Sequence, residues 1–373
     1  MNILIVSKFF SPARGGIETV TMEQAKGLAK LGHNVSVFCS RASRGEPNFA
    51  VFSDCGFSYE VSRFWTMFAA AGASFSPIML WHLLFDKFDI ALLQEPNPMS
   101  NLMAYSSCKI RGKPFIIFYQ ADLVNKGFLG KLYKPLQRRM LRDASVVVPS
   151  TNKYISISDT LDPLSMNLRV VPNSIDLCSF GDAHLKRNDE TLLFIGRLVP
   201  YKGVNILLEA LAKVRKRFPN VLLLIAGDGP LREQLIEKSM LLGLNDNVDF
   251  LIHVDDASRK LLLGTATALV LPSVTKAEAF GMVILEAQAS GCPVITTDIS
   301  GTSEVAGEAG IVAYAGDSES LADALCAVLM DKQLRENLSS IGLEQVKCYD
   351  TGAVCLEIES ACIDSLRGVV REG

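Results

Sequence analysis

Ala268-Leu-Val-Leu-Pro272-Ser, Lys276-Ala-Glu278-Ala-Phe280-Gly281-Met282-Val283-Ile-Leu-Glu286-Ala and, past Gly291, Pro293-Val-Ile-Thr-Thr-Asp298 read as one unit of strand, loop, helix and strand. Both flanking runs are short and continuously apolar, as strands covered on both faces are. Gly291 is a helix stop and sets the helix over about Phe280 to Ser290. Two carboxylates with seven residues between them then flank its start, Glu278 in the loop ahead and Glu286 in the second turn. Between them the free N–H groups of Phe280 to Val283 point out of the helix N-terminus, where an anion is welcome. Two glutamates beside an apolar helix are ordinarily a dipole-favouring charge and a solvated side chain. Here Glu286 is embedded in Met-Val-Ile-Leu-Glu-Ala-Gln-Ala, and a carboxylate buried there needs a ligand or a hydrogen-bond network. A ribose diol would serve. Carboxylate, amide nest and carboxylate in that order suit a ligand with hydroxyls at both ends and phosphate between, a nucleotide sugar.

Outward from this unit the same alternation recurs. Leu192–Gly196, Val221–Ala226, Val248–Ile252, Ala268–Leu271, Pro293–Thr297 and Gly310–Ala313 read as strands, with an apolar helical stripe from Val204. Earlier in the chain, Ile3–Val6, Val35–Cys39, Ile90–Gln94, Phe115–Tyr119 and Ser145–Pro149 do likewise, with a helix from about Ile17 to Leu31 and a last short strand at Arg169–Asp176. Strands alternating with helices indicate α/β domains with parallel sheets. The polar stretch from Asp182 to Glu190 reads as a linker, so the expected domains are 1–180 and 181–350. Ligands of such sheets bind beyond the carboxyl ends of the strands, here in a cleft between two facing domains.

Composition narrows the class. At 373 residues two domains are the better expectation, and 49% apolar with 21% charged residues can fill both cores. A net charge of −3 argues against a nucleic-acid partner. Nine cysteines lie singly, most in apolar surroundings such as Cys39 and Cys326, as reduced thiols in a cytosol do. Met1-Asn-Ile-Leu-Ile-Val reads as a first strand, not a signal peptide. Phe64 to Phe85 carries no Asp, Glu, Lys or Arg over a length able to cross a bilayer, but Gly72, Ser74, Ser76, Pro77 and His82 favour a buried loop and a helix starting at Pro77.

Other residues offer chemistry. Arg197 and Lys202, in Gly196-Arg-Leu-Val-Pro-Tyr-Lys-Gly203, leave a strand's carboxyl end, where two cations suit a diphosphate whose leaving oxygen gains charge. Gly15-Gly16 closes the first strand-to-helix loop, where glycines permit positive φ and close approach to a ligand, or merely a flexible turn. Neither this loop nor Gly227-Asp-Gly-Pro230 is a dinucleotide fingerprint, and the second reads as structural. His33, His82, His184 and His253 show no metal-ligand spacing. Lys126 to Arg142 holds six cations and no acid. On a helix Lys131, Lys134, Arg138 and Arg142 share one face, with Leu129, Leu132, Leu136 and Met140 nearly opposite: either a plain surface helix or a dock on anionic lipid.

Glu278-x7-Glu286, Gly196-Arg-Leu with Lys202-Gly203, Gly227-Asp-Gly-Pro230, Gly15-Gly16 and Pro172-Asn173-Ser-Ile-Asp176 together resemble the retaining glycosyltransferases of family four, over nearly the whole chain. The resemblance implies the GT-B fold, two Rossmann-like domains facing each other across a cleft, with the last helix, within 351–373, crossing back onto the first. It implies that Arg197 and Lys202 hold the donor's diphosphate and that Glu278 binds the donor sugar, as the catalytic set. Phe280, Gly281, Met282 and Val283 would offer amides, Glu286 would grip the ribose, and Gly15 and Gly16 would meet the phosphate from the other domain. Asn173 belongs to the matching turn. No metal and no cofactor beside the donor are implied. Members similar to this one carry His-x-Asp facing the transferred sugar, whereas Gln120 and Asp122 stand here. Glutamine cannot titrate near neutrality, but in a same-face mechanism the departing phosphate oxygen can take the acceptor's proton. The surroundings of Tyr119 to Lys131 look like mannosyltransferases of bacterial surface-polysaccharide (O-antigen, lipopolysaccharide) assembly. Val254-Asp-Asp256 with Arg259 resembles base-contacting loops of guanine-nucleotide users. GDP-mannose is the first donor expectation and a UDP-sugar the second, with a glycan or polyprenyl-diphosphate-linked acceptor. The setting is then cytoplasmic, peripheral on the inner face of the plasma membrane through 126–142. A catalytically silent nucleotide-sugar-binding partner of another transferase, and a GT-B phosphorylase or epimerase, are the competing classes.

Overall fold

The computed structural model describes residues 1–373 except 14, 44, 55, 71–72, 123–126, 181–185, 253 and 373, and leaves out the side chains of 68–70, 73–74, 127–129, 131–132, 300 and 369–372. Gly72, Lys126, His184, His253 and the start of the 182–190 stretch thus lie outside the described residues, as do the side chains of Leu129, Lys131 and Leu132. The chain forms two units, Met1–Ile175 with Thr351–Gly373, and Asp176–Asp350.

The first unit is built on a seven-stranded sheet. Its strands are β1 (Asn2–Val6), β2 (Asn34–Ser40), β3 (Phe49–Asp54), β4 (Phe57–Phe64), β7 (Ile90–Glu95), β8 (Phe115–Tyr119) and β9 (Val146–Pro149), in the order β3-β4-β2-β1-β7-β8-β9, while β5 (Phe68–Ala70) and β6 (Ala73–Phe75) form a separate hairpin. All neighbours are parallel except β3 and β4. That antiparallel edge corrects the expectation of a purely parallel sheet. β4, Phe-Ser-Tyr-Glu-Val-Ser-Arg-Phe, alternates as a half-covered strand does, and β3 leaves Phe49 and Val51 in solvent. No strand forms at the expected Arg169–Asp176; Leu168, just before it, makes a single bridge with Val147, and within it Ile175 alone is a bridge residue. The uncharged 64–85 stretch resolves into the β5–β6 hairpin and helix Pro77–Phe85, capped by Ser76. Among the described residues no helix is long and apolar enough to cross a membrane.

Helix Gly16–Lys30 follows β1 and packs beside helix Thr351–Glu372, whose Val354, Cys355, Ile358, Ala361 and Cys362 enter the same core as Ile3, Val37, Ile90 and Phe118. The last helix is pinned where it joins: Thr351 N donates to Ile175 O at 3.0 Å and its buried Oγ1 to Glu23 Oε2 at 2.8 Å. Farther along, His33 Nε2 lies 2.8 Å from Glu359 Oε1. The eight described cysteines are free, five of them buried.

The second unit has a six-stranded, fully parallel sheet: β10 (Thr191–Ile195), β11 (Leu222–Ala226), β12 (Val248–Leu251), β13 (Ala268–Leu271), β14 (Val294–Thr297) and β15 (Gly310–Ala313), in the order β12-β11-β10-β13-β14-β15. The order reverses between β10 and β13, and in the first unit between β1 and β7. At such switch points successive loops diverge to opposite faces and leave a crevice at the carboxyl ends.

Thr351→Val removes a buried donor to Glu23 and is expected to cost about 1–3 kcal/mol, read as a lower urea midpoint. An unchanged midpoint would show that this bond does not hold the last helix.

Candidate functional site

At the switch point of the second unit, the loop leaving β10 makes one 3₁₀ turn, Pro200–Lys202, and ends at Gly203 with φ +68°. A Cβ at Gly203 would stand 2.0 Å from the carbonyl oxygen of Pro272, at the end of β13. Only glycine lets the two loops meet backbone to backbone in this way. Val274 N completes the join by donating to Tyr201 O at 2.8 Å. The result is that Lys202 Nζ lies 2.5 Å from Glu278 Oε2, with side chains only 12% and 11% exposed. Arg197 is exposed nearby. Burial pushes the Tyr201 phenol up, Lys202 and Arg197 oppose the shift and Glu278 adds to it; Lys202 Nζ lies 5.8 Å from the ring centroid. The Gly227-Asp-Gly-Pro230 turn is structural, as expected: Leu198 N donates to Asp228 O at 2.9 Å and holds the loop that carries Arg197.

The helix after β13 is Met282–Ala289, two residues shorter at its start than the spacing indicated. Gly281, in the left-handed region at φ +82°, serves as its cap, and Phe280 turns inward against Tyr349, ring centroids 6.2 Å apart. Phe280 is therefore outside the helix. The N–H groups of Gly281, Met282 and Val283 have no protein acceptor among the described residues. These are the orphan donors of a helix start, beginning three residues past Glu278, the partner of Lys202.

Glu286 is buried and ion-paired through Oε2 to Arg259 Nη2. Arg259 comes from helix Asp256–Thr265, capped by Asp255, which accepts from Ser258 N at 2.8 Å; half-buried Val254 immediately precedes the cap. The partner that a buried Glu286 demanded is thus a cation from the loop-and-helix segment that resembles a base-binding element. Burial raises the Glu286 carboxyl and Arg259 opposes it, with Asp256 raising and Lys260 lowering it further.

In the first unit Gly15 and Gly16 end the loop after β1, but neither lies in the left-handed region. Gly15 is extended at φ 179°, and a Cβ there would strike Glu18 Oε2 at 2.2 Å; Gly16 simply opens the helix, with open space where a side chain would be. Gln120 is buried at the end of β8, its N–H donating to Glu95 O at 3.2 Å. Asp122 accepts from Tyr119 Oη at 2.7 Å and Ser158 Oγ at 2.8 Å, while its own N–H donates to Tyr154 Oη at 2.7 Å. Asn173 is buried. Of the sequence-derived set, the structure gathers Arg197, Lys202, Glu278 and the 281–283 amides at one switch point, with Glu286 one helix turn further on. Gln120 and Asp122 lie together at the end of β8, two strands from the Gly15-Gly16 loop.

One residue escaped the sequence reading. Glu95, at the end of β7 and fully buried, accepts from Tyr133 Oη at 2.9 Å, Asn101 Nδ2 at 3.0 Å and Gln137 Nε2 at 3.2 Å. Burial raises its carboxyl, and these donors oppose the shift. Tyr133 and Gln137 belong to helix Gly127–Asp143, the basic helix, so Glu95 moors it to the switch point of the first sheet. The available signal was a glutamate closing the apolar run Ile-Ala-Leu-Leu-Gln. On the basic helix Arg138, Arg139 and Arg142 are exposed and Met140 and Leu141 are buried. Among the described residues no group of three His, Cys, Asp or Glu can hold a metal ion.

Removing the guanidinium in Arg259→Ala should raise the Glu286 carboxyl further above its unfolded value. The folded state then binds the extra proton, so stability falls as pH rises above about 4.5, and it goes on falling to a higher pH than in the wild type. Melting temperatures over a pH series check this; parallel profiles would refute the coupling.

Two family models cover almost the whole chain: Glycosyltransferase Family 4 at residues 14–178 and Glycosyl transferases group 1 at 180–345. A D-rhamnosyltransferase of Pseudomonas aeruginosa is 30% identical over 82% of this chain and 80% of its own length. The O-antigen chain mannosyltransferase C of Escherichia coli is 29% identical over 87% and 88%. Among solved structures, sucrose-phosphate synthase of Thermosynechococcus elongatus superposes with a TM-score of 0.79 at 18% identity, covering 100% of both chains. The two family models and these relatives show that the chain belongs to the glycosyltransferases of family four, and its two α/β units have the GT-B fold.

Proposed function

We propose that the chain moves a sugar, with retention, from a nucleoside-diphosphate donor to a glycan or lipid-linked oligosaccharide of the cell surface, with GDP-mannose as donor. The observation that carries it is the Lys202–Glu278 pair beside the unpartnered amides of 281–283. A diphosphate entering there draws Lys202 and the exposed Arg197 to its oxygens and lies against the helix N-terminus. Glu278, relieved of its lysine, accepts from the sugar's hydroxyls. As the glycosidic bond breaks, charge grows on the leaving phosphate oxygen and the fixed cations stabilise it, a kind of effect usually worth 10²–10³ in rate per donor.

Glu286, held by Arg259, receives the ribose diol, and the 254–256 segment meets the base. Gln120 does not titrate, so the leaving phosphate oxygen takes the acceptor's proton on the same face. The mannosyl and rhamnosyl transfers named for the two relatives support a mannose-type sugar. Neither donor binding nor the chemistry needs a metal. The exposed arginines of helix Gly127–Asp143 bring the acceptor's lipid carrier and an anionic membrane surface within reach.

Lys202→Ala or Glu278→Ala should lower kcat/KM by at least about 10²-fold with an unchanged circular dichroism spectrum; wild-type turnover in either variant contradicts the assignment. EDTA should leave the rate unaltered, and loss of activity restored by a divalent ion would refute metal independence. Saturating GDP should raise the melting temperature more than UDP does, since a ligand at 100 times its Kd stabilises by about 2.7 kcal/mol; the reverse order would favour a UDP-sugar.

A further inference from the structure

The 64–85 stretch, free of Asp, Glu, Lys and Arg, displays its apolar side chains instead of burying them all. Helix Pro77–Phe85 turns Met79 and Leu83 inward, where both are fully buried. Ile78, Trp81 and Phe85, spaced three and four residues apart, form the opposite face and are 54%, 64% and 63% exposed. The Trp81 and Phe85 rings touch, with centroids 4.3 Å apart. Trp65 and Met67, 57% and 61% exposed, lie close by in the chain fold, because Met67 N donates to Phe75 O, one residue before the helix cap. A monomer's surface scatters such residues singly; five gathered around one short helix mark an interaction surface.

Charge identifies what it meets. From 77 to 143 there are ten Lys and Arg against five Asp and Glu, in a chain of net charge −3. The acids are occupied: Glu95 is buried, Asp86 is 2.9 Å from His82 Nδ1, Asp89 accepts from Asn2, Asp122 is enclosed in its hydrogen bonds and Asp143 pairs with Lys109. Arg111 donates to the carbonyls of Leu83 and Asp86, both at 2.7 Å, and so places a guanidinium at the end of the aromatic helix. Helix Pro98–Arg111 packs against the aromatic helix on one side and the basic helix Gly127–Asp143 on the other. Right-handed crossovers put these helices on one face of the sheet and helix Gly16–Lys30 on the other. A second copy docked here would bring two net-positive surfaces together. An anionic bilayer meets both features, taking tryptophan and phenylalanine at the headgroup boundary and drawing the flanking cations to its phosphates.

We propose that Trp65, Met67, Ile78, Trp81 and Phe85 form an insertion face that enters the headgroup boundary of an anionic membrane while the basic helix lies on its surface. This supplies the second of the two signals that stable peripheral anchoring needs. It adds to the lipid contact proposed for the basic helix and is independent of the donor-site reading.

Trp65 and Trp81 are the only tryptophans in the chain, so tryptophan emission, excited selectively at the red edge, reports on this face alone. With the full chain and phosphatidylglycerol vesicles, emission should shift to the blue and be quenched by bromine-labelled acyl chains; phosphatidylcholine vesicles should do neither. Trp81→Ser with Phe85→Ser, and separately Ile78→Ser, should weaken partitioning to phosphatidylglycerol vesicles, the double variant at least tenfold, while transfer to a water-soluble acceptor analogue is kept. Binding to the anionic vesicles without shift or quenching would mean surface adsorption alone and overturn the proposal. A blue shift that needs no lipid and grows with protein concentration would make the occupant a second copy and overturn it equally.

Discussion

The contact between Lys202 and Glu278 is what the site depends on, because it fixes two loops that are distant in the chain and gives each of two poorly hydrated charges its counter-charge. Removing one member of such a pair leaves the other charge uncompensated, which is costlier than replacing both. The pair exists because β10 and β13 are neighbours at the switch point and because Gly203 lets the backbone run against the Pro272 carbonyl. A side chain at Gly203 would have to displace the Pro272 carbonyl and so shift one loop against the other. The precision of the site is thus set by backbone packing, and the charged side chains inherit it.

Buried carboxylates occur at or near the switch points of both sheets, with different partners. Glu95 is held by the neutral donors Tyr133, Asn101 and Gln137, whereas Glu278 and Glu286 are held by cations. Buried neutral donors make a permanent mooring, and Glu95 uses Tyr133 and Gln137 to seat the basic helix. A lysine paired with a carboxylate at the rim of a site can change partners when an anion arrives, since its charge is attracted equally well by phosphate. This difference separates residues that hold the fold from residues that exchange bonds with a ligand.

Much of this was legible in the sequence. The second sheet was readable strand by strand because its central strands β10, β11 and β13 are almost wholly apolar and recur between helical stripes. The Glu278–Glu286 spacing was readable because the helix between the two is too apolar to carry a solvated acid. The edge hairpin β3–β4 was not, because its half-exposed alternation is mixed with Ser, Glu and Arg and resembles a loop. The helix start at Met282 was hidden by Phe280 and Gly281, which look helical or neutral until the left-handed φ of Gly281 and the ring of Tyr349 are known. Glu95 and the Arg259–Glu286 pair were beyond reach for a simpler reason: their partners lie 6 to 42 residues away for Glu95 and in another helix for Glu286, a proximity that only the tertiary fold creates.

A crystal structure with GDP-mannose bound tests the central claim most directly. The diphosphate is expected against Lys202, Arg197 and the amides of 281–283, with Glu278 freed from its lysine and hydrogen-bonded to the sugar and Glu286 on the ribose. A donor seated elsewhere, with Lys202 and Glu278 still joined, would contradict it.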